Sequence, residues 1–153
     1  MAIREDDLTC NAVIALLEVH LKGVAMHSPP ESIHALDLDG LRAPDMTFWT
    51  AWRGADLAGC GALRELDAEH GEIKSMRTAE AHLRRGVARA LLAHMLDVAR
   101  SRAYVKVSLE TGAQDGFAPA HALYRSFGFN PCGPFGSYRE DPNSLFMTRQ
   151  LDG

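Results

Sequence analysis

The stretch from Leu83 to Arg102 restricts the fold more than any other part of the chain. Val87, Ala88, Leu91, Leu92, Met95, Val98 and Ala99 recur at helical spacing and form one apolar stripe, while Arg89, Asp97, Arg100 and Ser101 lie largely away from it. A helix with a single apolar stripe must cover a partner, and the segments around it read as strands. Met46–Arg53 is aromatic-rich, Gly54-Ala55-Asp56 is a turn, and Leu57–Leu66 resumes the extended pattern, which predicts a hairpin. A second turn at Asp67–Gly71 leads into Glu72–Thr78 ahead of the helix, and Val105–Leu109 is a short strand behind it. Strand, long helix and strand make a crossover, which joins parallel strands. The expected class is therefore α/β (α+β): a mixed, mostly antiparallel central sheet flanked by helices, with one β-α-β crossover.

The remaining segments fill in that frame. Thr9 reads as the N-cap of a helix from Asn11 to about Met26, with Val13, Leu16, Leu17, His20, Leu21 and Val24 at helical spacing. Pro29-Pro30 breaks it. Pro119–Phe127 is a short helix stopped by Gly128, and Leu145–Leu151 is a last strand. No internal repeat or low-complexity tract divides the chain, so residues 1–153 are expected to form a single domain. A net charge of −4 argues against a nucleic-acid-coating protein, even with Arg84, Arg85, Arg89, Arg100 and Arg102 near one another. No apolar run approaches the ~20 residues of a membrane span. The segment Met1–Asp7 is too polar for a signal peptide. Cys10, Cys60 and Cys132 form no C-x-x-C motif, which fits reduced thiols in the cytoplasm. The seven histidines show no metal-ligand spacing, so no metal site is expected.

Chemistry concentrates at the start of the long helix. Arg84-Arg85-Gly86-Val87-Ala88-Arg89 surrounds a helix N-terminus, where unpaired N–H groups and the positive end of the macrodipole attract phosphate. Gly86 permits close approach of an anion; a glycine in a loop before a solvated helix end is the plainer alternative. Glu72 follows Gly71 and reads either as a proton-handling group or as a solvated turn residue, and a salt bridge from Lys74 would keep it ionised and make it a poorer base. Strand alternation puts Glu72, Lys74, Met76 and Thr78 on one face. Tyr124 reads either as a functional phenol or as a core residue with its hydroxyl at the edge. In the segment His27–His34, the residues His27, Ser28 and Glu31 could contact a polar substrate, or Ser28 could cap a helix begun by Pro29. Gly59-Cys60-Gly61 lies inside a hairpin strand with no helix after it, so it marks a bulge or close packing rather than a dinucleotide loop.

Two motifs carry a family resemblance. Leu83-Arg84-Arg85-Gly86-Val87-Ala88 resembles the R/Q-x-x-G-x-G/A signature of the GNAT family of N-acetyltransferases, and Ala120–Phe129 resembles that family's A-x-x-L-Y-x-x-x-G-F segment. They stand in the expected order, separated by a strand, and the resemblance runs from about Met46 to the end. It implies a GNAT-like sheet whose crossover carries the coenzyme A loop, and acetyl-CoA as cosubstrate. By that resemblance Arg84, Arg85, Gly86, Val87, Ala88 and Arg89 hold the pyrophosphate, and the strand end Met76, Arg77 and Thr78 pairs with the pantetheine arm and the thioester carbonyl. Tyr124 matches the tyrosine that protonates the departing thiolate, and Glu72 the general base of some members. Leu83 replaces the signature's Arg or Gln, and Phe117 stands near an asparagine that contacts pantetheine in many members.

The chemistry needs both groups. An alkylammonium near pKa ~10.4 is neutral in only about one part in 2,500 at pH 7, and a thiolate near ~8.5 leaves more readily beside a phenol. The expected function is transfer of acetyl from acetyl-CoA to the primary amine of a small-molecule or peptide acceptor by direct attack. A route through Cys60 or Cys132 lacks a nearby base in sequence. A coenzyme-A-binding module without turnover is the alternative. The acceptor pocket is expected from Met26–Asp45 and Pro131–Pro142, and exposed strand edges would allow a homodimer.

Overall fold

The computed structural model describes residues 1–18 and 38–151. One mixed sheet runs in the order β1-β2-β3-β4-β5-β7-β6, formed by β1 (Ala2–Glu5), β2 (Met46–Arg53), β3 (Asp56–Asp67), β4 (His70–Thr78), β5 (Lys106–Gly112), β6 (Asn130–Cys132) and β7 (Ser144–Gln150). All neighbours are antiparallel except β4 and β5, which are joined by the helix α3 (Val87–Ser101). The crossover and the hairpin are those the sequence predicts.

Helices cover both faces. On one face α3 buries Val87, Leu91, Leu92, Met95, Leu96 and Ala99 against Leu63, Ile73, Val107 and Leu109. Tyr124 and Phe129, from α4 (Ala118–Ser126) and the turn after it, extend the same core. On the other face α1 (residues 11–18) and the short α2 (Leu38–Leu41) bring Val13, Leu16, Leu17 and Leu41 onto Phe48, Cys60 and Ala62. Alternation along β3 produces this division, since Leu63 belongs to the first cluster and Ala62 to the second.

The glycines of β3 set how closely α3 approaches. A Cβ at Gly59 would stand 2.8 Å from the Arg77 carbonyl oxygen and 2.8 Å from Val87 Cγ1; one at Gly61 would meet Met76 Sδ at 2.8 Å and Met95 Cε at 3.0 Å. Both readings of Gly59-Cys60-Gly61 therefore hold, because the β3–β4 register also slips between Cys60 and Ala62. Gly59→Ala is expected to destabilise the fold by about 1–3 kcal/mol through overpacking against backbone. A denaturant midpoint shift at unchanged m-value would measure it.

The slip is the central feature of the sheet. Ser75, on β4, has φ +55, a left-handed conformation unusual for a residue with a side chain. This bulge bends β4. Its parallel ladder with β5 ends at Ile73↔Leu109, although β4 continues to Thr78 and β5 to Gly112. The two strands diverge into an open groove.

Three expectations change. The bulge breaks alternation, so Met76 packs with the α3 core while Glu72 and Lys74 face the opposite side. Thr9 is no N-cap: its hydroxyl donates to Asp7 Oδ1 at 2.7 Å, and the first helical bond runs from Ile14 N–H to the Cys10 carbonyl. Strands β1 and β6 were not predicted. Both are short sheet-edge strands, one polar and one carrying Pro131, which an edge tolerates.

Candidate active site

The start of α3 leaves its first main-chain N–H groups uncapped. Gly86 occupies the N-cap in the left-handed region, φ +80, and nothing lies within 4 Å of a Cβ placed there. Arg84 is also left-handed, φ +63. No side chain caps the helix, no acidic residue lies in its first turn, and the first intrahelical bond is Ala90 N–H to the Gly86 carbonyl at 3.0 Å. The N–H groups of Val87, Ala88 and Arg89 are thus left to an incoming anion. The loop is anchored from β2, where Arg53 Nη2 donates to the Arg85 carbonyl at 2.9 Å. Arg84 and Arg85 are exposed beside the cradle. Arg89 contributes main chain only, since its guanidinium bonds Ser126 Oγ at 3.2 Å and lies over the Phe127 ring. These features fit a pyrophosphate.

Valine at position 86 is expected to weaken coenzyme A binding at least tenfold by titration calorimetry, as the branched Cβ enters the cradle. The backbone strain should also cost about 1–3 kcal/mol. Gly54→Val is the control. Gly54 has φ +60 and an equally open Cβ position in the β2–β3 turn, so it should lose similar stability and little affinity.

The groove lies beyond the bulge. Arg77 and Thr78 pair with Cys60 and Gly59 of β3, while the β5-facing edge of Met76–Thr78 has no strand beside it among the described residues. A linear amide such as pantetheine can add there as an extra strand would.

Glu72 is 1% exposed, which rules out the solvated-turn reading. Its Oε2 accepts from Lys74 Nζ at 3.2 Å and from Tyr138 Oη at 2.5 Å, and Lys74 Nζ donates to Tyr138 Oη at 2.7 Å. The expected Lys74 pairing is therefore present, closed into a triangle by a tyrosine 66 residues away. Burial, reinforced by the Glu72 charge, holds the Tyr138 hydroxyl in its protonated form. Oε1 has no partner among the described residues. Next to the triangle, His70 Nε2 and Ser108 Oγ share a hydrogen bond at 2.7 Å, and Ser108 Oγ and Thr148 Oγ1 another at 2.9 Å. Burial, with Lys106 as a second cause, lowers the His70 pKa and favours the neutral imidazole. Glu72, Lys74, His70 and Tyr138, with Arg64, Leu66, Asp67, Gly136 and Ser137, line a cavity of about 490 Å³.

Tyr124 is 7% exposed, edge-on to Phe129 with centroids 5.9 Å apart. Among the described residues its hydroxyl has no hydrogen-bond partner. Burial pushes its pKa up to about 12, so it keeps its proton at neutral pH. Two of the thiols are unsuited to nucleophilic work: burial pushes Cys60 up to about 12 and also raises Cys132.

Comparison with known proteins agrees with this geometry. The family model described as acetyltransferase (GNAT) family matches residues 12–129. The chain belongs to the GNAT family. It is 57% identical over 151 residues to the uncharacterized N-acetyltransferase YsnE of Bacillus subtilis, covering 99% of this chain and 100% of that protein. It is 54% identical over 149 residues to the uncharacterized N-acetyltransferase YedL of Escherichia coli, covering 97% and 94%. The fold matches that of a GNAT acetyltransferase from Elizabethkingia anophelis with acetyl-CoA bound, at TM-score 0.69 and 19% identity, over 98% of this chain and 97% of that one. As a GNAT protein it is an acetyl-CoA-dependent acyltransferase.

Within the GNAT frame, the structure brings Glu72, Met76, Arg77 and Thr78 together on β4, and Arg84–Arg89 at the start of α3. The two departures from the motifs have clear positions: Leu83 is 54% exposed beside the cradle, and Phe117 covers Gly112, the last residue of β5. His27, Ser28 and Glu31 lie outside the described residues. Tyr138, His70 and Ser108 were missed. The sole signal for Tyr138 was its place in the Pro131–Pro142 loop. No described helix is long and apolar enough to cross a membrane.

Proposed function

We propose that the protein moves acetyl from acetyl-CoA to a primary amine by direct attack in the groove between β4 and β5. The observation that carries this reading is Glu72: a buried carboxylate beside the opened edge of β4, with one oxygen held and the other without a partner among the described residues. Oε1 takes a proton from the acceptor ammonium, directly or through one water. The main-chain amides of Val87–Arg89, beside Arg84, Arg85 and Gly86, hold the pyrophosphate, and Met76–Thr78 align the pantetheine arm. A β4 amide such as that of Thr78 donates to the oxyanion of the tetrahedral intermediate. Tyr124 gives its proton to the departing thiolate. Cys60 and Cys132 take no covalent part, because thiols whose pKa is raised by burial are poor nucleophiles.

The test is a panel of peptide N-termini, lysine derivatives, polyamines, aminoglycosides and amino acids, assayed by release of free thiol from acetyl-CoA. Release that saturates with at least one amine supports the reading. Thermal stabilisation by coenzyme A with no release across the panel would leave a binding module instead.

A further inference from the structure

Arg64 and Glu72 are direct partners across the β3–β4 ladder and face the same cavity. Opposite charges at such positions stand about 4.5–5.5 Å apart at Cβ and normally pair. Here they do not. Arg64 Nε is drawn to Asp45 Oδ2 at 3.0 Å, and Glu72 Oε2 to Lys74 and Tyr138. Among the described residues the two terminal nitrogens of Arg64 and Oε1 of Glu72 have no partner. A cation and an anion on adjacent strands are thus held apart by other residues, with a cavity of about 490 Å³ beside both. That volume suits a small molecule rather than a folded partner.

From this arrangement we propose that the acceptor is a free α-amino acid, its ammonium at Glu72 Oε1 and its carboxylate on the Arg64 guanidinium. The inference rests on the acyl-transfer reading above and specifies its substrate class. An α-amino acid carries its two charges one carbon apart, as the adjacent strands present their complements. A guanidinium fork suits a carboxylate. Leu66 and the Tyr138 ring, in the same wall, offer apolar surface to the amino acid side chain. Peptide N-termini, polyamines and aminoglycosides lack the α-carboxylate and would leave Arg64 unused. In the reaction the N–C bond forms and the C–S bond breaks. Of the two protons the ammonium gives up, one ends on the coenzyme A thiol and one in solvent.

The experiment compares matched acceptors by thiol release: leucine, leucinamide and 3-methylbutylamine, then phenylalanine, phenylalaninamide and phenethylamine. The acids are expected to exceed their amides at least tenfold in kcat/KM, although the amide's amine loses its proton more readily. Arg64→Gln is expected to raise KM for the acids about tenfold with kcat within threefold, shrinking the acid-to-amide ratio. Unchanged coenzyme A binding would show that the variant is folded. Amides that equal or exceed their acids, or an Arg64→Gln effect equal on acid and amide, would overturn the inference. Release with the peptide N-termini, polyamines or aminoglycosides of the wider panel but with no free α-amino acid would overturn it and keep the acyl-transfer reading. Release with no amine in either set would overturn both.

Discussion

Phenylalanine at position 124 is expected to lower kcat about a hundredfold while leaving coenzyme A affinity within twofold. The first figure is the lower end of what a positioned general acid contributes. The second follows from what the hydroxyl touches, since it has no hydrogen-bond partner among the described residues. Its removal breaks no such bond, and the ring keeps its edge contact with Phe129. Folding free energy should therefore change by less than about 1 kcal/mol. The pH dependence is specific too. With its pKa raised to about 12 by burial, Tyr124 stays protonated up to pH 10 and contributes no falling limb below that. Wild type and Tyr124→Phe should then give rate profiles of one shape and different height between pH 6.5 and 9.5. A wild-type kcat in the variant would remove Tyr124 from the mechanism.

Glu72→Gln should do damage of two kinds. It removes the proposed base, at a cost of about 10²–10⁴ in kcat. It also strands Lys74, whose side chain is 7% exposed, with no counter-charge in the triangle. Breaking a buried pair from one side destabilises by about 3–5 kcal/mol. A Glu72→Gln, Lys74→Met double variant separates the effects. With no buried charge left, it should regain most of the stability in urea melts and none of the activity. If activity returned along with stability, Glu72 would be a structural carboxylate and the base would lie elsewhere.

The parts of this protein legible from sequence are those set by near neighbours in the chain. The α3 stripe, the β2–β3 hairpin and the Gly86 loop each rest on residues within a few turns of one another, and each lies where the spacing puts it. The groove is different. Strand alternation placed Met76 on the Glu72 face, and one bulge at Ser75 moved it to the α3 face. Nothing in Lys74-Ser75-Met76 announces a left-handed serine, because that conformation is imposed by the ladder with β3 and by the helix packed on Gly59 and Gly61. Thr9 looked like a cap because its type suits one, but its hydroxyl donates to Asp7 and the first helical carbonyl is that of Cys10.

Helical periodicity, turn glycines and the two family motifs pointed to the fold class, to the Gly86 loop at the start of α3 and to Glu72 and Tyr124 as candidates, because all of these depend on spacing along the chain. Only the folded sheet decided that β4 and β5 part after Ile73, that one oxygen of Glu72 is held by Lys74 and Tyr138, and that Arg64 faces it without pairing. Those features join residues up to 66 positions apart. Such contacts carry no periodic signature, since the Tyr138 ring is placed by packing on Phe146 of β7 as well as by the turn that its own loop forms from Phe135.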